Sequence, residues 1–182
     1  MESKNYNKIS IYMSKLLRHQ PELGGLIIDT QGYTSVESLL YALNITKEEL
    51  DFIVFSDKKG RYSYNLSGDK IRANQGHSIP YVKIDFAEYI PVGPLYHGTA
   101  LKSLDSIMQS GLQPKSRNLV HLSMDMNTAY NVGMRHAKKE DNLVILEVDA
   151  VRMYADGGHF YISENNVVLA DSVDVNYLTR IK

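Results

Sequence analysis

Cysteine is missing from all 182 residues, and its absence excludes disulfides, thiolate nucleophiles, cysteine-ligated zinc and iron–sulfur clusters. A cytoplasmic protein is therefore expected. Charge of one sign is missing too: Lys plus Arg number 20 against 21 for Asp plus Glu, a net charge of −1. A generic polyanion binder is excluded, and any nucleic-acid contact has to come from a local patch. No apolar run approaches the roughly 18 residues a membrane span requires. The opening Met1-Glu-Ser-Lys-Asn-Tyr lacks the apolar core of a signal peptide. The expectation is a soluble, untargeted monomer with no membrane partner.

Catalytic signatures are sparse as well. Six histidines are present, yet none forms His-x-His or His-Glu-x-x-His, so no metal is expected. Neither Gly-x-x-x-x-Gly-Lys nor Gly-x-Gly-x-x-Gly occurs, which removes the usual ATP and dinucleotide loops. Gly-x-Ser-x-Gly is absent, which weakens a serine hydrolase reading.

What is present reads as an ordinary globular protein, with 43% hydrophobic and 23% charged residues over a length that suits two small lobes. Ile9, Tyr12, Met13, Leu16 and Leu17 predict a helix over about 5–19, ended near Pro21. Arg18 and His19 fall in its last turn, where cations favour the helix dipole without any further role. Leu26-Ile27-Ile28 is a short strand candidate. Thr34 to Glu37 and Thr46 to Glu49 have capping-box spacing and predict two helices, the first running to about Leu43. Asp57-Lys-Lys-Gly60 is a turn, and Arg61–Leu66 and Lys70–Ala73 form a hairpin around Ser67-Gly68-Asp69. This order is that of a winged helix. Lys58, Lys59, Arg61, Lys70 and Arg72 give its hairpin either a nucleic-acid-binding wing or an ordinary solvated turn.

A connector with prolines at 80, 91 and 94 carries a predicted strand from Tyr81 to Phe86 and places the lobe boundary near residue 90. In the second lobe, Tyr96-His97-Gly98-Thr99 offers a glycine for close backbone approach and a threonine to cap the next helix, which ends at Ser110-Gly111. A strand over 117–123 puts Arg117 at its entry and His121 and Ser123 near its exit. These two stretches suggest two walls of one pocket. A helix over 127–137 and strands over 143–148, 160–163, 167–170 and 179–182 complete a split β-sheet lobe with only two helices. Arg18, Arg61 and Arg117 suit a phosphoester, because a planar guanidinium donates parallel hydrogen bonds to phosphate.

Six motifs in order, Leu16-Leu17-Arg18-His19, Gly32-Tyr33, Arg61-Tyr62, Gln75-Gly76-His77-Ser78, His97-Gly98-Thr99 and Ser116 to Ser123, resemble the tRNA 2′-phosphotransferase family over roughly 10–178. The resemblance implies an α+β protein. Residues 1–89 would form a winged-helix RNA- and phosphate-binding lobe, and residues 90–182 an ADP-ribosyltransferase-like, NAD-binding split-sheet lobe. It implies that an internal 2′-phosphate on RNA, such as that left by tRNA splicing, is transferred to NAD⁺ in two steps, without a metal. Catalysis would fall to Arg18, His19, Arg61 and Arg117. Contacts to NAD⁺ would come from His97, Gly98, Thr99, His121 and Ser123, with Val167 a further apolar member. The family often has histidine at the position of Leu119, and glycine at those of Ala137 and Asn166. Two rivals stay open: an ADP-ribosyltransferase acting on terminal phosphates of nucleic acid, and a non-catalytic winged-helix protein sensing NAD or ADP-ribose. The chain has no Glu-x-Glu, a pattern of many protein-modifying transferases.

Overall fold

The computed structural model describes residues 5–182, so Met1–Lys4, on which the expectation of no leader partly rests, lie outside the described residues. The chain divides into two compact units, one running through Asp85 and the other Phe86–Lys182. This boundary lies a few residues before the predicted one, because a two-residue strand just after Asp85 pairs into the second unit.

In the first unit, α1 (Tyr6–Arg18) is capped by Asn5, whose side chain accepts from the Lys8 amide, and it buries Met13, Leu16 and Leu17. Pro21 then opens a single 3-10 turn, Pro21–Gly24. Strand β1 (Tyr33–Ser35) leads directly into α2 (Val36–Leu43). The cap of α2 is Ser35, which accepts from the Ser38 amide, and not the predicted Thr34, which is buried within β1. Helix α3 (Lys47–Ser56) starts with the predicted reciprocal box between Thr46 and Glu49. Strands β2 (Tyr62–Tyr64) and β3 (Lys70–Ala73) form the hairpin. The sheet order is β1-β3-β2, antiparallel throughout. Leu26-Ile27-Ile28 is not a strand. Leu26 and Ile28 are buried and Ile27 is exposed, so the segment alternates like a strand, but it joins none of the sheets among the described residues.

The second unit holds two sheets. Strand β4 (Ala87–Glu88) is where the connector pairs, so the predicted strand over Tyr81–Phe86 is misplaced; Lys83 and Asp85 instead bond to Thr30 and Gln31 of the Gly32 turn. Strand β5 (Leu95–Ala100) runs into a 3-10 turn and α4 (Leu104–Ser110). Thr99 is not a cap: it lies within β5, opposite Val144. Strand β6 is shorter than predicted, Val120–Leu122, with Arg117 in a bend before it and Ser123 just beyond. Helix α5 (Met126–Ala137) and β7 (Leu143–Val148) fall where expected. A helix that the sequence reading lacked, α6 (Ala150–Ala155), is capped by Asp149. It gives this unit three helices where two were expected. Strands β8 (Tyr161–Ile162), β9 (Val168–Ala170) and β10 (Leu178–Arg180) complete it.

The sheet orders are β10-β7-β5 and β4-β8-β9-β6, and the paired amides of Tyr96 and Ser123 bridge β5 to the end of β6. Each unit has its own apolar core. Leu16, Leu39, Leu50 and Ile71 anchor the first, and Leu95, Val144, Leu146 and Phe160 the second. The fold class is thus mixed α/β, with three small sheets and six α-helices among the described residues.

Candidate active site

The first unit gathers the end of α1 with the segment that follows β3. Arg18 retains only 9% exposure, far less than a cation placed merely to face solvent at a helix end. The amide of Ser78 donates to the Arg18 carbonyl at 2.9 Å, and Ser78 Oγ lies 2.9 Å from His19 Nδ1. Ser78 Oγ also lies 3.5 Å from the Arg18 carbonyl oxygen, so its hydroxyl can serve either that carbonyl or the His19 ring. Gly76 lies over the Arg18 side chain. A Cβ there would sit 3.6 Å from Arg18 Nε, which is ordinary contact, and it is the φ of +89° that favours glycine. His77 is 5% exposed and faces Gly32, where an added Cβ would come within 3.0 Å of His77 Nε2. Burial first, and then the charges of Arg18, His19 and Arg72, push the His77 pKa down to about 4, so its imidazole is neutral at pH 7.

Arg61 precedes β2. Its amide donates to Asp57 Oδ2 at 2.7 Å and its Nη1 to Asp57 Oδ1 at 2.6 Å. Its carbonyl accepts from the Asn74 amide at 2.8 Å, which ties it to the start of the Gln75 to Ser78 segment. The remaining hairpin cations are partly engaged. Lys70 approaches Asp29 at 3.5 Å and Arg72 stacks over the Tyr33 ring at 4.6 Å, while Lys58 and Lys59 stand exposed on the turn. Arg61 and Lys70 thus have acidic partners, Arg72 keeps its charge against the Tyr33 ring, and Lys58 and Lys59 face solvent.

In the second unit, His97, Gly98, Thr99, Arg117 and His121 all line one cavity of about 470 Å³, so the two stretches singled out in the sequence do form its walls. His97 Nδ1 lies 3.2 Å from the His121 carbonyl, and His121 Nδ1 lies 3.0 Å from the Leu119 carbonyl. A carbonyl only accepts, so both rings carry their proton on Nδ1. Burial, with smaller contributions from His136 and Lys115, holds the His97 pKa below its ordinary value despite the opposing hydrogen bond. Desolvation and the repulsion of Arg135 lower the Arg117 pKa, although the residue keeps an exposed surface. A guanidinium starts from so high a value that it stays charged. Lys102 and Lys115 add positive charge to the lining, and Ile107, Val120 and Val132 an apolar wall. Cation and apolar wall together fit a nucleotide that carries both phosphates and flat rings.

Over residues 4–172 the chain matches the family model described as RNA 2′-phosphotransferase, Tpt1 / KptA family. The chain belongs to the RNA 2′-phosphotransferase family. It is 42% identical to a probable RNA 2′-phosphotransferase of Nostoc punctiforme, over 100% of both chains. It is 41% identical to one of Fusobacterium nucleatum, over 94% of this chain and 96% of the other. It is 44% identical to one of Agrobacterium fabrum, over 93% and 91%. The activity class of this family is that of a transferase enzyme.

Several details of this 2′-phosphotransferase family member differ from the sequence reading. Gly98 serves packing first: its added Cβ would fall 1.8 Å from the Ala129 carbonyl oxygen, so the close approach it permits is to α5. Ser123 is absent from the cavity lining, where its neighbour His121 is present. Asn166 stands at φ +59°, a position that suits the glycine anticipated there and that asparagine tolerates better than most side chains. Ala137 is helical, and the left-handed residue is the next one, Lys138, at φ +62°. The sequence reading missed Asp57, Lys102 and Lys115 as neighbours of the candidate residues. Only Asp57, four residues before Arg61, carried a local signal. Among the described residues no group of three or more His, Asp or Glu side chains is placed to hold a metal ion, and no helix is long and apolar enough to cross a membrane.

Proposed function

We propose that the protein is a cytoplasmic, monomeric, NAD⁺-dependent enzyme that removes an internal 2′-phosphate from RNA. The observation that carries the proposal is the joint lining of one cationic, partly apolar cavity by His97, Gly98, Thr99, Arg117 and His121 in a member of this family. In this reading the first unit is a winged helix, supported by its order α1-β1-α2-α3-β2-β3 and its β1-β3-β2 sheet, and it handles RNA. The second is an ADP-ribosyltransferase-like lobe, supported by its two bridged sheets, and it binds NAD⁺. Residues 87 and 88 pair within this second lobe, which favours a lobe boundary just before them.

The reading assigns catalysis to Arg18, His19 and Arg61 of the first unit and Arg117 of the second. A 2′-phosphate monoester is mostly dianionic at pH 7, with a second pKa of about 6, so its attack on C1″ of the nicotinamide ribose needs positioning more than a base. That attack breaks the glycosidic bond and releases nicotinamide. The adjacent 2″-hydroxyl then attacks phosphorus, the bond to the RNA 2′-oxygen breaks, and ADP-ribose 1″,2″-cyclic phosphate departs. Guanidinium groups stabilise the phosphoryl charge of this second step. His19 protonates the leaving 2′-oxygen. Its Nδ1 lies 2.9 Å from Ser78 Oγ, a contact that orients the ring.

The test is to incubate the protein with an RNA bearing an internal 2′-phosphate, with and without NAD⁺ and in EDTA. NAD⁺-dependent conversion to the 2′-hydroxyl RNA is expected. ADP-ribosylated RNA that persists would replace this reading with a terminal-phosphate transferase, and NAD⁺ binding without turnover would replace it with a sensor.

A further inference from the structure

We propose that Asp57 is a positioning residue that sets the guanidinium of Arg61 for phosphate; the inference rests on Arg61 acting in catalysis as described above. The Asp57 side chain is only 8% exposed, while that of Arg61 keeps 32%. One carboxylate oxygen accepts from Arg61 Nη1 at 2.6 Å and from the Lys59 amide at 3.3 Å; the other accepts from the Arg61 amide at 2.7 Å. Asp57 thus holds both the backbone and the head group of the same residue.

The surrounding backbone is already fixed without that ion pair. The Gly60 amide donates to the Asp57 carbonyl at 2.8 Å. Asn74 grips the other side, its amide donating to the Arg61 carbonyl and its side-chain Nδ2 to the Gly60 carbonyl, both at 2.8 Å. What stays adjustable is the rotamer of a long side chain, and the Asp57–Nη1 bond removes that freedom. A pair with so buried a carboxylate is a poor source of stability, because desolvation offsets most of the Coulomb attraction. It is a good source of orientation. A guanidinium has five N–H donors in a rigid fork, so a bond from Nη1 to Asp57 still leaves a donor edge for a phosphate.

The test is a double-mutant cycle on single-turnover phosphate removal, with Asp57→Asn, Arg61→Ala and the double variant, each checked for folding by thermal melting. Asp57→Asn is close in shape but presents an amide N–H to one of the two Arg61 donors. Misplacement of a catalytic group by about 1 Å costs on the order of 100-fold, so a fall of ten- to 100-fold in the maximal rate is expected, with the KM for NAD⁺ unchanged. In the Arg61→Ala background the same substitution should change nothing further. If Asp57→Asn folds and keeps the wild-type rate, or if its effect multiplies with that of Arg61→Ala, the proposal is overturned. If Asp57→Asn does not fold, Asp57→Ser supplies the same comparison while keeping an oxygen for one backbone amide. Arg61→Ala at the wild-type rate would instead remove the reading beneath it.

Discussion

His77 carries a titration that the rest of the first unit has to accommodate. Its folded pKa of about 4 lies below the ordinary value of 6.5, so between those limits the unfolded chain binds a proton that the folded chain refuses. Stability from this group is complete above about pH 6.5 and is lost as pH falls towards 4. Between pH 7 and pH 5 the loss should be about 2 kcal/mol in urea unfolding, and it should be absent from His77→Gln. An unchanged pH slope in that variant would show that His77 is not the titrating group. Arg117→Ala removes a charge from the second unit's cavity; by analogy with a lost oxyanion donor, the barrier to phosphate removal should rise by about 2 to 4 kcal/mol. A wild-type rate would contradict its assignment. The sequence singled out Arg18, His19 and the segment that ends at Ser78, and the fold bonds Ser78 to both Arg18 and His19. What the sequence hid was reach: no local pattern reports that Arg18 is covered by Gly76 or that His77 packs on Gly32.

At the scale of elements, the contact between β5 and α5 leaves no room for a side chain on either glycine. A Cβ on Gly133 would meet Leu143 Cδ1 at 2.4 Å and the Gly98 backbone at 3.0 Å. Gly133→Ala should therefore destabilise by roughly 1–3 kcal/mol, the usual cost of overpacking, measured by denaturant unfolding. Gly98→Ala faces backbone at 1.8 Å and should cost more than Gly133→Ala. Equal stability of either variant and the parent would refute the packing argument. Lys138 terminates α5 at φ +62°, so Lys138→Gly should stabilise by up to about 1 kcal/mol in the same measurement, and a loss of stability would contradict it. Helices with caps and periodic faces, such as α1, α3 and α5, were readable from spacing because those signals are local. Strands were less so. Leu26–Ile28 has the right composition without a partner, whereas Ala87–Glu88 has little strand composition and pairs with β8. Pairing is decided by distant residues, which a local pattern does not report.

Over the whole molecule, charge is balanced, cysteine is absent and each unit buries apolar residues of its own. The two-part organisation was visible in the change from paired caps and a hairpin to a run of short strands. The helix α6 was not, because six residues give too little periodicity to separate from a turn. In the proposed reaction the phosphate leaves RNA for the nicotinamide ribose, and following a radiolabelled internal 2′-phosphate through the reaction with NAD⁺ reports that transfer. The label should appear in ADP-ribose cyclic phosphate, with one nicotinamide released per phosphate lost. Label recovered as inorganic phosphate, with NAD⁺ left intact, would contradict the account.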